Sequence, residues 1–278
     1  MDTKVVLVTG ASSGIGESAA RHLKDAGFTV YAAARRLDRM AGLREAGVHT
    51  IALDVTDDAS AKAAVAQILA EQGRIDVLVN NAGYGSYGAL EDVPLSEAQA
   101  QLDVNVIGLA RMAQLVLPQL RAQRSGTIIN ISSMGGNFTT PLGAWYHASK
   151  YAVEAISDAL RMELAPLGIE VVVVQPGSIR TEWGAIAAAN VRETSGNGPY
   201  RVQAEAVANT LGGSSSPGAR MTSSPDVVAR AITKAATARR PRARYRIGFG
   251  AKPLVFAHRI LPARVFDRLI QRGMGIGG

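Results

Sequence analysis

A strand-length apolar run that leads directly into a glycine-rich turn is the feature that most constrains the fold of this chain. Residues 4–9 are apolar like a buried parallel strand, the turn 10–16 follows at once, and a helical pattern continues through 18–23. Glycines permit a close approach of the backbone, and a helix N-terminus directs N–H groups at a pyrophosphate. We therefore predict a dinucleotide site formed by Gly10, Ser12, Ser13, Gly14, Ile15 and Gly16. The alternative is an ordinary turn between a strand and a helix.

The same alternation of strand and helix continues along the chain. Strand-like runs occupy 28–34, 50–55, 75–80, 127–131, 170–175 and 244–248, and helical patterns separate most of them, at 59–72, 96–120 and 144–167 among others. Alternation of this kind predicts an α/β fold with a doubly wound parallel sheet and right-handed crossovers, that is, a three-layer Rossmann fold. The length of 278 residues is compatible with a single domain over 1–278.

The residues at the strand ends indicate which dinucleotide binds. An acidic residue near the end of the second strand holds the ribose 2′-hydroxyl in NAD sites, but Arg35 and Arg36 stand there in this chain. Guanidinium groups pair with phosphate oxygens, so we predict NADP(H), with a solvated helix start as the alternative.

The ends of the other strands supply further residues that can face the cofactor. Asp54, followed by Val55, ends the third strand, where its carboxylate can reach an adenine. The turn formed by Asn80, Asn81, Ala82 and Gly83 ends the fourth. Pro176 and Gly177 end the strand 170–175 and turn the chain over the cofactor, where Thr181 can hydrogen-bond an amide.

A candidate acid–base pair lies at the start of the helix predicted over 144–167. Tyr146 and Lys150 are four residues apart, so their side chains share one helix face. A free tyrosine has a pKa of about 10, and we expect a neighbouring ammonium group to lower it. Ser132 and Ser133 follow the apolar strand 127–131, where a hydroxyl can hold the oxygen of a carbonyl or alcohol. A half-buried tyrosine beside a solvated lysine is the alternative for the pair taken alone.

Together these motifs resemble the short-chain dehydrogenase/reductase family over about residues 3–182. The match includes the glycine-rich motif 9–16, Asp54, the Asn-Asn-Ala-Gly turn 80–83, Pro176-Gly177 and a catalytic tetrad formed by Asn105, Ser133, Tyr146 and Lys150. The resemblance implies that Tyr146 is the general acid or base and that Lys150 binds the nicotinamide ribose and lowers the tyrosine pKa. It further implies that Ser133 orients the substrate oxygen and that Asn105 holds a water molecule. A homo-oligomer formed through the helices that carry Asn105 and Tyr146 is also implied.

Composition excludes several other classes of protein. The chain has no cysteine, which excludes disulfides and thiolate metal sites and is typical of a reducing compartment. It shows neither a signal-like leader nor an apolar run of about 20 residues, so we expect a soluble, cytoplasmic protein. Twelve basic and two acidic residues follow position 224, whereas the preceding residues carry eighteen basic and twenty-one acidic groups. A nucleic-acid-binding protein with a uniformly basic surface would not have this distribution.

Two C-terminal regions bear on the substrate and on partners. Residues 183–223 combine a helical stretch at 203–211 with Gly- and Ser-rich segments, which predicts a mobile substrate lid, or alternatively a plain surface loop. Within the tail 249–278, apolar residues share one face of 262–272 and arginines another, so it packs on the body or on a second subunit, contacts a membrane surface, or binds an anion. The tail also resembles those of steroid- and retinol-type members of the family. Our main hypothesis is that the chain is an NADP(H)-dependent oxidoreductase that interconverts a carbonyl compound, which we expect to be a hydrophobic ketone, and a secondary alcohol. The alternative is a catalytically silent NADP(H)-binding regulatory protein.

Overall fold

The strands of the protein follow the predicted alternation closely. A computed structural model describes residues 3–213 and 221–276. The strands in this part of the chain are β1 (Val5–Thr9), β2 (Thr29–Ala34), β3 (His49–Ala52), β4 (Val77–Asn80), β5 (Gly126–Ile131), β6 (Ile169–Pro176) and β7 (Arg244–Ile247).

All seven strands form one parallel sheet in the order β3-β2-β1-β4-β5-β6-β7. The order reverses between β1 and β4, and in open α/β sheets ligands bind at the carboxyl ends of the strands beside such a switch point. The glycine-rich turn follows β1 and the Asn-Asn-Ala-Gly turn follows β4, so both predicted turns lie at this position.

Helices cover both faces of the sheet, which confirms the three-layer Rossmann prediction. They are α1 (Gly14–Asp25), α2 (Ala41–Glu45), α3 (Asp58–Gln72), α4 (Leu95–Leu102), α5 (Leu109–Gln123), α6 (Ala144–Leu164), α7 (Glu182–Ser195), α8 (Arg201–Gly213), α9 (Pro225–Thr237), α10 (Ala251–Ile260) and α11 (Ala263–Gly273). One apolar core forms where α1 and α9 meet the sheet, and a second forms beneath α3, α5 and α6. None of the helices in 3–213 and 221–276 combines the length and the apolar character needed to cross a membrane.

The helix predicted over 96–120 contains a local irregularity. Residues Asp103–Gly108 form a π-helical turn between α4 and α5. Such turns are rare and are found mostly as single insertions, often at functional sites. Asn105 lies inside this turn, which explains why an asparagine occurs in the middle of a long helix.

The predicted lid differs from expectation. Residues 182–195, for which the sequence indicated no helix, form α7, which packs against α8 through Ala187, Ala188, Ala204 and Ala208. Alanine has the highest helix propensity and permits close helix contact, and these effects outweigh the flanking glycines and serines. The Gly-Ser-rich part of the predicted lid, 214–220, lies outside the described residues.

Candidate active site

The turn after β1 is packed too tightly for side chains at two of its glycines. Gly10 has a φ of +65°, and a Cβ atom there would lie 2.7 Å from the Cα of Ala82. A Cβ atom on Gly16 would lie 2.5 Å from the carbonyl oxygen of Gly10. The Asn81 side chain donates hydrogen bonds to the carbonyl oxygens of Thr9 at 2.9 Å and Gly10 at 3.1 Å. The Asn-Asn-Ala-Gly turn therefore fixes the glycine-rich turn from the neighbouring strand.

The N-terminus of α1 has the properties of a phosphate site. Ser13 precedes the helix in an extended conformation, and its side chain does not cap the first-turn N–H groups. Uncapped N–H groups at a helix N-terminus attract an anion through hydrogen bonds and the helix dipole. Ser12, Gly14 and Ile15 are only half-buried here. The cradle and its free donors fit the pyrophosphate of a dinucleotide.

A second loop meets this cradle from the end of β6. A Cβ atom on Gly177 would lie 2.0 Å from the carbonyl oxygen of Phe249, so the turn after Pro176 requires glycine. The turn leads to Thr181, and a Cβ atom on Gly14 would lie 3.0 Å from its Cγ2 atom. Thr181 therefore lies against the glycine-rich turn, as the sequence motif predicts for a residue that reaches the cofactor.

The loop after β2 carries the predicted phosphate-binding arginines. Arg35 and Arg36 are exposed, and neither forms an ion pair with another residue of 3–213 or 221–276. Arg39, by contrast, pairs with Glu182 at the start of α7, with 2.7 Å between Nη2 and Oε1. Arg35 and Arg36 therefore remain available for a 2′-phosphate.

The residues expected near the adenine lie just beyond β3. Burial acts to raise the pKa of Asp54, but hydrogen bonds from the hydroxyl and N–H of Thr56 outweigh it and hold that pKa below its ordinary value. The carboxyl group is thus an anionic acceptor at neutral pH. Val55 is buried, and its carbonyl oxygen accepts a hydrogen bond from Arg111 at 2.6 Å.

Three of the four predicted catalytic residues meet at the end of β5 and the start of α6. The hydroxyl group of Ser133 lies near that of Tyr146 and acts to lower the pKa of Tyr146. Ser133 Oγ also accepts a hydrogen bond from the N–H of Gly135 at 3.0 Å, which fixes its orientation. Lys150 Nζ donates to the carbonyl oxygen of Ile131 at 3.0 Å. Ser132 lies instead against Gly136, which supports the choice of Ser133 as the substrate-facing serine.

The protonation of this group departs from the expectation that Lys150 lowers the tyrosine pKa. Burial raises the pKa of Tyr146 to about 12, and the nearby Ser133 hydroxyl group opposes this only in part. Burial also lowers the pKa of Lys150 to about 8, against the attraction of Glu154. Both side chains are almost fully shielded from water, so desolvation of the charged form is the largest cause of each shift in pKa. At neutral pH Tyr146 is therefore a protonated phenol and thus a proton donor.

Asn105 completes the predicted tetrad but is held by the protein itself. Its Nδ2 donates to the carbonyl oxygen of Tyr84 at 2.9 Å and to Ser149 Oγ at 3.0 Å, and its Oδ1 accepts from the N–H of Tyr84 at 3.0 Å. A Cβ atom on Gly83 would approach Asn105 Oδ1 to 3.0 Å and Lys150 Nζ to 3.6 Å. The absence of a side chain at Gly83 therefore leaves room for both Asn105 Oδ1 and Lys150 Nζ.

A buried histidine that the sequence motifs did not single out supports the loop between Ser133 and α6. His147 Nε2 accepts a hydrogen bond from the N–H of Thr140 at 3.0 Å. Its Nδ1 must then carry the proton, which it donates to the carbonyl oxygen of Gly135 at 2.9 Å. Burial holds the pKa of His147 below its ordinary value and keeps the ring neutral. The only sign in the sequence that His147 belongs to the site is its position directly after Tyr146.

Aromatic rings surround the Tyr146 phenol. The ring centroid of Tyr87 lies 5.6 Å from that of Tyr146, and the Trp183 ring lies at a similar distance from both. Trp183 lines the site, whereas Phe138 and Met134 pack in a separate cluster with α10 and α11. The site thus combines one proton donor with a largely apolar wall.

The chain is similar to known proteins over most or all of its length. Residues 4–191 match the family model described as short chain dehydrogenase. A relative from Ornithobacterium rhinotracheale, named NADPH-dependent 3-dehydrocapnine reductase, is 33% identical over 98% of this chain and 97% of its own. A relative from Bacteroides thetaiotaomicron, named 3-ketodihydrosphingosine reductase, is 44% identical over 65% of this chain and 66% of its own length.

A solved structure gives the same result at the level of the fold. The crystal structure of a short-chain dehydrogenase from Streptomyces avermitilis superposes with a TM-score of 0.82, at 32% identity and over 100% of both chains. With the glycine-rich cradle, the Ser133–Tyr146 contact and Lys150 in place, the chain belongs to the short-chain dehydrogenase/reductase family and is an oxidoreductase.

Proposed function

We propose that this protein is an NADP(H)-dependent reductase of hydrophobic ketones that also oxidises the corresponding secondary alcohols. The observation that carries the proposal is the buried Tyr146 phenol, which lies near the Ser133 hydroxyl group and is enclosed by aromatic rings. A ketone placed against these two hydroxyl groups has a hydrogen-bond donor at its oxygen and apolar surface around its substituents.

The protonation of the site favours the direction of reduction. A phenol with a pKa of about 12 holds its proton throughout the physiological range. Tyr146 can therefore donate this proton to the carbonyl oxygen while Ser133 Oγ keeps that oxygen in place. Bound NADPH would supply the hydride, so that hydride and proton together convert the carbonyl into a secondary alcohol. The role of Lys150 is to hold the nicotinamide ribose, as the family motif implies.

The preference for NADP(H) is supported by the exposed Arg35 and Arg36 beside the cradle. A guanidinium group binds a phosphate dianion through paired, charge-assisted hydrogen bonds. The Ornithobacterium relative carries NADPH in its name, which agrees with this preference.

The preference for a hydrophobic ketone is supported by the aromatic wall and by the two relatives. Both relatives are named as reductases of compounds whose names denote a 3-keto or 3-dehydro group. We infer that this protein acts on a ketone of the same type, with an apolar portion that lies against Trp183 and Tyr87.

The experiment is a steady-state assay of NADPH oxidation against ketones graded from small and polar to long-chain, with NADH in parallel. We expect turnover with NADPH that rises with apolar chain length and is at least tenfold lower in kcat/KM with NADH. Turnover of short polar ketones alone would contradict the substrate class. NADPH binding without turnover of any ketone would contradict the enzyme assignment.

A further inference from the structure

The last two helices form a hairpin with a buried inner face. Phe266 and Ile270 of α11 pack with Val255 of α10 against Phe138, whose ring centroid lies 5.4 Å from that of Phe266. The His258 ring lies 4.9 Å from the Phe266 ring and joins the two helices. This inner face confirms the expectation that the C-terminal tail packs against the body of the protein.

The outer face of the hairpin has a different character. Phe256 and Ile260 on α10 are 63% and 61% exposed, and Val265 and Leu269 on α11 are 44% and 47% exposed. Five of the fourteen large apolar side chains exposed among the described residues lie between positions 249 and 269. An exposed apolar cluster of this density on a soluble domain generally marks an interaction surface.

Basic side chains lie beside these apolar ones. On α11, Arg264, Arg268 and Arg272 repeat every four residues and form a row next to the row of Val265 and Leu269. Lys252 and Arg259 lie on the exposed side of α10. Asp267 is the only acidic residue of the two helices. Each helix thus has a solvent-exposed face that is both apolar and cationic.

We propose that this outer face, formed by residues 252–272, binds the surface of an anionic lipid bilayer. Apolar side chains on such a face enter the boundary between headgroups and acyl chains, while the long arginine side chains reach back to the phosphates. Anionic lipids attract juxtaposed basic residues, and the hairpin carries five of them. With five basic residues and one acidic residue, the two helices match the negative charge of an anionic lipid surface.

The hairpin lies at the edge of the sheet formed by the carboxyl ends of the strands, which is also where the active site lies. It follows the carboxyl end of β7, and the catalytic Ser133 follows the carboxyl end of the parallel strand β5. α10 contacts the turn Met134–Gly136 directly after Ser133. Binding through the hairpin therefore brings this edge of the molecule to the lipid surface.

The first test is co-sedimentation of the full-length protein with vesicles of phosphatidylcholine, with and without 30% phosphatidylglycerol added as the anionic lipid. We expect binding only to the anionic vesicles. The triple variant Arg264→Gln, Arg268→Gln, Arg272→Gln should bind about a hundredfold more weakly, since each charge contributes about fivefold. The matched control, Arg239→Gln, Arg240→Gln, Arg242→Gln, removes the same charge before β7, at the opposite edge of the sheet, and should bind like the unaltered protein.

The second test uses the absence of cysteine from the chain to place a single fluorescent label. Leu269→Cys carrying a polarity-sensitive nitrobenzoxadiazole label should gain intensity and shift to the blue on anionic vesicles. The same label at Met162→Cys, an exposed apolar position on α6, should not change. The proposal is overturned if the anionic vesicles do not bind the protein, if both triple variants lose binding equally, or if the label at 269 reports only water. Because neither readout requires turnover, failure here leaves the proposed reductase activity separately testable.

Discussion

The ring centroids of Tyr146 and Trp183 lie 5.1 Å apart, with the ring planes inclined at 53°. Trp183 belongs to the first turn of α7, so the helical lid contacts the proton donor directly. The space beside it is restricted, because a Cβ atom on Gly85 would lie 2.3 Å from the Trp183 ring. Helix α7 of the predicted lid therefore contributes one side of the proposed substrate wall.

Replacement of Trp183 should affect large substrates selectively. Trp183→Ala removes an aromatic surface against which an apolar substituent packs, so we expect KM for a long-chain ketone to rise at least tenfold. The KM for a small ketone and the affinity for NADPH should change less than threefold. Ile186→Ala, on the same helix but 53% exposed, is the control and should leave all three values unchanged. An equal rise in KM for both ketones would remove Trp183 from the substrate wall.

Removal of the Tyr146 hydroxyl should abolish chemistry without abolishing cofactor binding. General acid catalysis contributes about 10²- to 10⁴-fold, so Tyr146→Phe should lower kcat by at least about 10²-fold. NADPH affinity, measured by the fluorescence of the bound cofactor, should stay within about threefold. Tyr87→Phe makes the same chemical change in the neighbouring ring and should retain most of the activity. Loss of NADPH binding in Tyr146→Phe would show that its role is structural.

The coenzyme preference should depend on the arginines after β2. Arg35→Asp combined with Arg36→Ala supplies a carboxylate for the ribose 2′-hydroxyl and removes the partners of a 2′-phosphate. We expect the ratio of kcat/KM for NADPH over NADH to fall at least 100-fold. Arg39→Ala should change it less than threefold, because Arg39 is already paired with Glu182. An unchanged ratio in the double variant would exclude these arginines from the phosphate site.

The buried ammonium group of Lys150 should reduce stability at neutral pH. Its pKa falls from 10.5 to about 8 on folding, a difference equivalent to about 3 kcal/mol. Below pH 8 both the folded and the unfolded state bind the proton, and the free energy of unfolding is lowered by the full amount. Between pH 8 and pH 10.5 the folded state has released the proton while the unfolded state still holds it, so the destabilisation disappears towards pH 10.5. Lys150→Met also leaves the carbonyl group of Ile131 without its hydrogen bond, which costs about 1 kcal/mol.

We therefore expect the Lys150→Met variant to be about 2 kcal/mol more stable than the unaltered protein at pH 7, and inactive. Urea denaturation at pH 7 and pH 10 measures both free energies of unfolding, and the gain should be lost at the higher pH. Lys62→Met replaces an exposed lysine and should show no such dependence. A destabilised Lys150→Met variant at pH 7 would contradict the cost assigned to the buried charge.

Local signals in the sequence predicted the sheet and the cofactor cradle. Most strands coincide with an apolar run of strand length, although β7 contains two arginines. Gly10 and Gly16 are required by contacts of the backbone itself. The grouping of Ser133, Tyr146 and Lys150 was also predictable, because two of them share a helix face and the third ends a strand next to it.

Properties that depend on burial and on distant contacts were not predictable in the same way. The sequence indicated that Lys150 would lower the pKa of Tyr146, but desolvation of both groups reverses that outcome. The hydrogen bonds that His147 accepts from Thr140 and donates to Gly135 depend on how the loop before α6 folds. Helix α7 was missed because a short alanine-rich segment between glycine-rich stretches has no distinctive apolar period.

The π-helical turn at Asp103–Gly108 also limits which insertions and deletions this chain can tolerate. A turn of this kind contains one residue more than a regular α-helical turn. Deletion of a single residue within it would restore a continuous α-helix and remove the wider turn in which Asn105 lies, while α4 and α5 keep their relative orientation. Such a deletion would carry Asn105 away from Tyr84 and Ser149 while leaving the composition of the helix almost unchanged. A shift in length by one residue at this position is therefore expected to be more damaging than most substitutions along the same helix.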